Sequence, residues 1–118
     1  MEFKINAQHE SNGPPVLVLM GVFDAHAASE LDQAMIKLTE QGYGSIILDV
    51  SGMQSVDEAF YAVLLEGQKR CRKRGGGGLG IACPIQSPYD EFENRGLNKI
   101  FPIREKRDDV SRLLEPPT

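Results

Sequence analysis

Long apolar runs are missing from this chain. Val16–Met20 is strand-sized, and even the seven residues of Ala59–Leu65 fall far short of the roughly 18 that a membrane span requires. The N-terminus lacks the charged-then-apolar layout of a signal peptide, which argues against export. Cysteine is scarce: Cys71 and Cys83 stand far apart with no CxxC, so neither a disulfide scaffold nor a zinc site is indicated and a reducing cytoplasm is the default compartment. Excess positive charge is also lacking. Seventeen acidic against thirteen basic residues give a net charge of −4 and a pI near 5.1, against sequence-independent nucleic-acid binding, which relies on neutralising phosphates. The only histidines, His9 and His26, have no metal-ligand spacing, and no nucleophile–base signature such as GxSxG is present. What remains is 118 residues, 41% hydrophobic and 25% charged, with a mean hydropathy of −0.29. That is one soluble domain able to bury its own core.

Phe3–Ala7 alternates apolar and polar residues, as a half-buried strand does. The turn signal Ser11–Pro15 then leads into a second strand over Val16–Met20, so the two can form an opening hairpin. Ala27, Leu31, Ala34, Met35 and Leu38 recur at helical spacing, and Gly42 and Gly44 close that helix. Ser45–Val50 reads as a strand buried on both faces and central in the sheet, with Ser51-Gly52 after it. A second helix begins near Glu58, its stripe made by Phe60, Val63, Leu64, Gly67 and Cys71. Leu79–Cys83 is a further strand, Tyr89–Asn94 a short helix, Ile100–Ile103 an edge segment and Asp108–Leu114 a last helix. The expectation is an α/β fold, one domain over residues 1–118 with residues 115–118 frayed. Its central mixed sheet has about four to five strands, with about four helices.

The letters GxGxxG occur in Gly75–Gly80, but after a helix and before a strand. A phosphate-binding fingerprint needs the reverse order, so these glycines read as a flexible helix-to-strand connection. Lys69–Arg74 reads as a solvated helix end whose cations complement the macrodipole, with docking of an acidic partner as the functional alternative. His9 reads as exposed near a turn and His26 as a surface or capping residue. Cys71 and Cys83 read as packed thiols. Asp24, Asp49 and Asp57 sit near expected strand ends, where sites of α/β sheets gather; for Asp49 the plain reading is a strand-end or turn residue. Ile46–Asp49 resembles the phosphoacceptor strand of a response-regulator receiver. That resemblance fails, because Gly21–Asp24 and Cys83-Pro84 offer neither the acidic pair nor the lysine such a site needs.

Taken together, the segments resemble a STAS domain over nearly the whole chain. Val16–Asp24 followed by a helix containing Ser29-Glu30-Leu31 is similar to that family's strand, G-x-x-D and helix. Ile46–Met53 followed by Val56-Asp57 resembles its central strand and loop, and Ser87-Pro88, Phe92 and Gly96–Phe101 resemble its late helix and turn. The resemblance implies an anti-sigma factor antagonist, whose acceptor serine at the start of the second helix is phosphorylated by an anti-sigma serine kinase. The family segment D-S-[ST]-G-[LV] falls on Asp57-Glu58-Ala59-Phe60-Tyr61, so the acceptor corresponds to Ala59, which has no hydroxyl, and the glycine to Phe60.

Ser55–Glu58 also fits a capping box, with Ser55 as the cap and Glu58 reaching back. Alternatively, Glu58 imitates part of a phosphoserine's charge, at about −1 against roughly −1.5 to −2; the two readings are compatible. The expectation is a non-enzymatic module, without cofactor or metal, acting as a monomer or weak homodimer. It binds an anti-sigma factor or serine-kinase-like ATPase in transcriptional regulation, through Asp24, His26, Ser55, Asp57, Glu58, Phe60 and Tyr61. Phe60 reads more as core and Tyr61 as the surface anchor. The alternatives are a STAS subunit of an ABC-type lipid transport complex, or a ligand sensor binding an anion at a helix N-terminus, against which the Asp57-Glu58 charge argues.

Overall fold

The structure, a computed structural model, describes residues 2–9, 13–82, 96 and 99–114. The strands are β1 (Phe3–Gln8), β2 (Val16–Phe23), β3 (Ser45–Val56), β4 (Gly78–Ala82) and β5 (Ile103–Arg104). The helices are α1 (Ala25–Glu40), α2 (Glu58–Lys73) and α3 (Arg107–Leu114). The expected helix over Tyr89–Asn94, the end of the fourth strand at Cys83 and the frayed tail lie outside the described residues.

The five strands lie in the order β1-β2-β3-β4-β5. β1 and β2 form the expected antiparallel hairpin, and every other pairing is parallel, so the sheet is mixed. β3 is central, as its apolar run implies, but it does not stop at Ser51-Gly52. It continues to Val56 because β2 pairs with it along its whole length, from Val16↔Ile47 to Phe23↔Val56. Two register shifts, between Val18 and Met20 and between Gly21 and Val22, absorb the extra residues of β3, the usual consequence of β-bulges.

Alternate residues of each strand face opposite layers. Leu17, Leu19, Ile46, Leu48, Leu79 and Ile81 join Leu31, Met35, Phe60 and Leu64 of α1 and α2 in one buried cluster. Val16, Ile47 and Ala82 meet Val110 and Leu114 of α3 on the other side. β3 is therefore buried from both sides, which explains why its sequence does not alternate.

The glycine run is a packed junction as well as a connection. A Cβ on Gly76 would stand 1.9 Å from the Gly44 carbonyl oxygen, and one on Gly80 would stand 2.3 Å from Val110 Cγ1. Absence of side chains here brings backbone against backbone and α3 against the sheet. Cys71 is buried as expected, and burial pushes its thiol up to about 11.

Candidate functional site

β2 and β3 end side by side, and each hands over to a helix through an aspartate. Asp24 is the N-cap of α1 and its side chain accepts a hydrogen bond from the Ala27 N–H at 3.0 Å. Asp57 is the N-cap of α2 and accepts from the Ala59 N–H at 2.9 Å. These bonds satisfy donors that a helix start leaves open. The Asp57 N–H in turn donates to the Phe23 carbonyl at 3.1 Å, which ties the two helix starts together. Asp24, His26, Ser55, Asp57 and Glu58 are all exposed at this end, with Ala59 half-buried.

Beneath that surface runs a chain of edge-to-face rings. His26 meets Phe3 at 5.6 Å, Phe3 meets Phe23 at 5.8 Å, Phe23 meets Phe60 at 5.9 Å and Phe60 meets Tyr61 at 5.7 Å between centroids. Such pairs add roughly 0.5–1.5 kcal/mol beyond area burial, so they stiffen the floor joining α1 to α2. Sequence reasoning missed Phe3 and Phe23 as part of this floor. Their alternation marks them as core-facing, but nothing local tells that they bridge two helix starts.

The structure corrects three readings. Tyr61 is not a surface anchor: only 7% of it is exposed, and Phe60 beneath it is fully buried. Position 61 lies four residues beyond the cap, on the turn that faces the sheet. Ser55 is not the cap of α2, since it lies within β3 and Asp57 takes that role, so the capping box does not form as expected. Asp49 is neither a strand end nor a turn residue; it sits in mid-β3, away from Asp24 and Asp57, on the α3 side.

There Asp49 accepts from the Ser51 N–H at 3.1 Å and its hydroxyl at 2.7 Å, and from Arg107 Nε at 2.9 Å. Arg107 also donates to Gln8 Oε1 at 2.8 Å. Burial alone would raise the Asp49 pKa, but the Ser51 bonds and the Arg107 charge outweigh it and hold the carboxyl below its ordinary value. This cluster fastens α3 to β1 and β3. The basic run of Lys69–Arg74 lies at the opposite end of α2 from Asp57, with Arg70 bonded to Asp32 of α1.

A mixed five-stranded sheet, with α1 and α2 on one face and their starts joined at one end, defines a STAS-like fold. The chain belongs to the family described as "Mlab, STAS domain", whose model matches residues 6–102. In three dimensions it is similar to an anti-sigma factor antagonist from Mycobacterium paratuberculosis. The TM-score is 0.82 at 18% identity, covering 96% of this chain and 94% of that one. It also resembles the phosphorylated form of the Bacillus cell fate determinant SpoIIAA, with a TM-score of 0.67 at 16% identity over 93% and 99% of the two chains. An anti-sigma-factor antagonist (STAS) domain protein from Planctomyces limnophilus matches with a TM-score of 0.64, at 17% identity over 92% and 95%. No curated protein sequence matches the chain. Among the described residues, no helix is long and apolar enough to cross a membrane.

Proposed function

We propose that this chain is a non-enzymatic interaction module of the anti-sigma factor antagonist type, which takes up a protein partner where α1 and α2 begin. One observation carries the reading: Asp24, His26, Ser55, Asp57 and Glu58 are exposed together around two helix starts joined by the Asp57-to-Phe23 backbone bond. The partner is an anti-sigma factor or serine-kinase-like ATPase of the bacterial cytoplasm, and the mechanism is competitive occupancy of its surface in transcriptional regulation. Phe60 and Tyr61 support that surface from below, because burial leaves them little area to offer.

A similar Bacillus protein is described in a phosphorylated form, whereas the position that resemblance assigns to the acceptor is here Ala59. With no hydroxyl there, phosphorylation does not switch this chain at that site. Glu58, in the first turn of α2, supplies a fixed negative charge that the helix dipole favours, in place of a transient one.

The test is a pull-down from native lysate with mass spectrometry, comparing wild type with Glu58→Lys and Ala59→Ser. Recovery of a serine-kinase-like ATPase by wild type, weakened about tenfold or more by the reversed charge, supports the reading. Recovery of a membrane transport ATPase in its place overturns the partner, and equal capture by Glu58→Lys overturns the surface.

A further inference from the structure

The two edges of the sheet differ in length: β5 has two residues, whereas β1 presents six. In an antiparallel ladder, residue pairs that exchange backbone hydrogen bonds alternate with pairs that do not. The Val22 N–H donates to the Glu2 carbonyl at 3.3 Å, and pairing continues as Phe3↔Gly21, Lys4↔Met20 and Ile5↔Leu19. The even-numbered residues of β1 therefore bond inward to β2. The N–H and C=O groups of Phe3, Ile5 and Ala7 point outward, along an edge that no other strand among the described residues pairs with.

Native sheets blunt such edges with proline, with several charges or with a covering element. β1, with the sequence FKINAQ, has no proline and one charge, Lys4. Phe3 and Ile5 pack on the α1 side of the sheet, beside a groove of about 680 Å³ between β1 and α1. The helix wall of that groove carries both signs, Glu30 and Glu40 with Lys37.

We propose that this edge pairs with a second copy of the chain, β1 against β1, antiparallel about Ile5. That register sets Ile5 opposite Ile5 and Phe3 opposite Ala7, so each outward donor and acceptor of these residues meets one from the other copy. Lys4 falls opposite Asn6 of the second copy, and no like charges oppose each other, an arrangement that cross-strand energetics require. Centring the pair one residue earlier would set Lys4 against Lys4. A two-fold axis at this edge also brings two copies of the mixed-sign α1 wall to face one another. A wall carrying both signs can be complementary to its own copy, whereas a strongly acidic or basic ligand would meet repulsion from part of it. The contact is independent of the partner surface proposed above.

Light scattering after size exclusion, from about 10 µM to about 1 mM chain, tests the pairing together with amide hydrogen exchange of the wild type. The expected mass rises from 13.0 kDa towards twice that value. Exchange at Phe3, Ile5 and Ala7 slows about tenfold on concentration, while Lys4 and Asn6, already bonded to β2, change little. Ala7→Pro removes one outward donor without breaking the β1–β2 ladder, a substitution that edge strands tolerate, and it keeps the protein monomeric. A wild-type mass fixed at that of one chain, or unprotected Phe3, Ile5 and Ala7 amides in the concentrated sample, overturns the proposal. So does a folded Ala7→Pro chain that still dimerises; if that variant does not fold, the wild-type exchange alone decides.

Discussion

On one face of the sheet, α1 and α2 bury a continuous apolar layer that runs from Phe23 and Phe60 to Leu38 and Cys71. On the other, the eight-residue α3 contributes Val110, Leu114 and the Arg107–Asp49 ion pair. Apolar burial is indifferent to pH and scales with area. The attraction within an ion pair strengthens as water is excluded, and it is lost when either charge is neutralised. The α1/α2 face should therefore set global stability, and the α3 face should be the part that responds to acid and opens first. This division suits a domain whose exposed helix starts rest on the thicker, ring-floored side.

The largest effect should come from Phe60→Ala. This ring is fully buried and contacts both Phe23 and Tyr61. Its removal should cost about 3–5 kcal/mol, read as a lower urea midpoint, and should loosen the floor under Asp24 and Asp57. Leu114→Ala on the opposite face should cost less, about 2–4 kcal/mol, and its effect should be local: α3 amides exchange faster while those of β3 keep their protection. If Leu114→Ala destabilises the whole sheet as much as Phe60→Ala does, the two faces are not held differently.

The fold was largely legible because local signals agreed with one another: β1 and β2 by alternation and an intervening turn, α1 and α2 by their stripes, β3 by its unbroken apolar run. The length of β3 beyond Val50 was not legible, because it is imposed by pairing with β2 and no sequence pattern near Ser51-Gly52 encodes the bulges. The roles of Asp24 and Asp57 near strand ends were visible in outline, yet their backbone link through Phe23 is a tertiary fact. Tyr61 was misplaced because an aromatic residue near a helix start reads equally as anchor or core; only the packing of Phe60 against it decides. Asp49 stood out as an acidic residue next to an apolar run, but its partner Arg107 lies 58 residues away, beyond any local pattern.

That pair gives the pH test. The Ser51 bonds and Arg107 hold the Asp49 carboxyl below its ordinary value despite burial. A group with a lowered folded-state pKa contributes stability that is fully present above its unfolded value and is lost as pH falls through the folded one. Wild type should accordingly lose stability as the pH drops below about 4, and Asp49→Asn should flatten that part of the profile. At neutral pH, Arg107→Gln should cost about 1–3 kcal/mol, because it removes a charged partner from a mostly buried carboxylate. A urea midpoint for Asp49→Asn that falls as steeply with acid as that of wild type would assign the acid sensitivity to other carboxylates.

The smallest effect sharpens the same contrast. Lys69 and Glu66 form an ion pair at 3.5 Å, with side chains 71% and 56% exposed. The pair lies one turn apart on α2, whereas the Asp49 side chain is 12% exposed against Arg107. Water screens the exposed charges, and holding two long side chains in one geometry costs entropy, so such pairs contribute little. Glu66→Gln should shift stability by less than about 0.5 kcal/mol at neutral pH and by less still in high salt. An effect as large as that of Arg107→Gln would mean that burial on the α3 face is not what gives the Asp49 pair its weight.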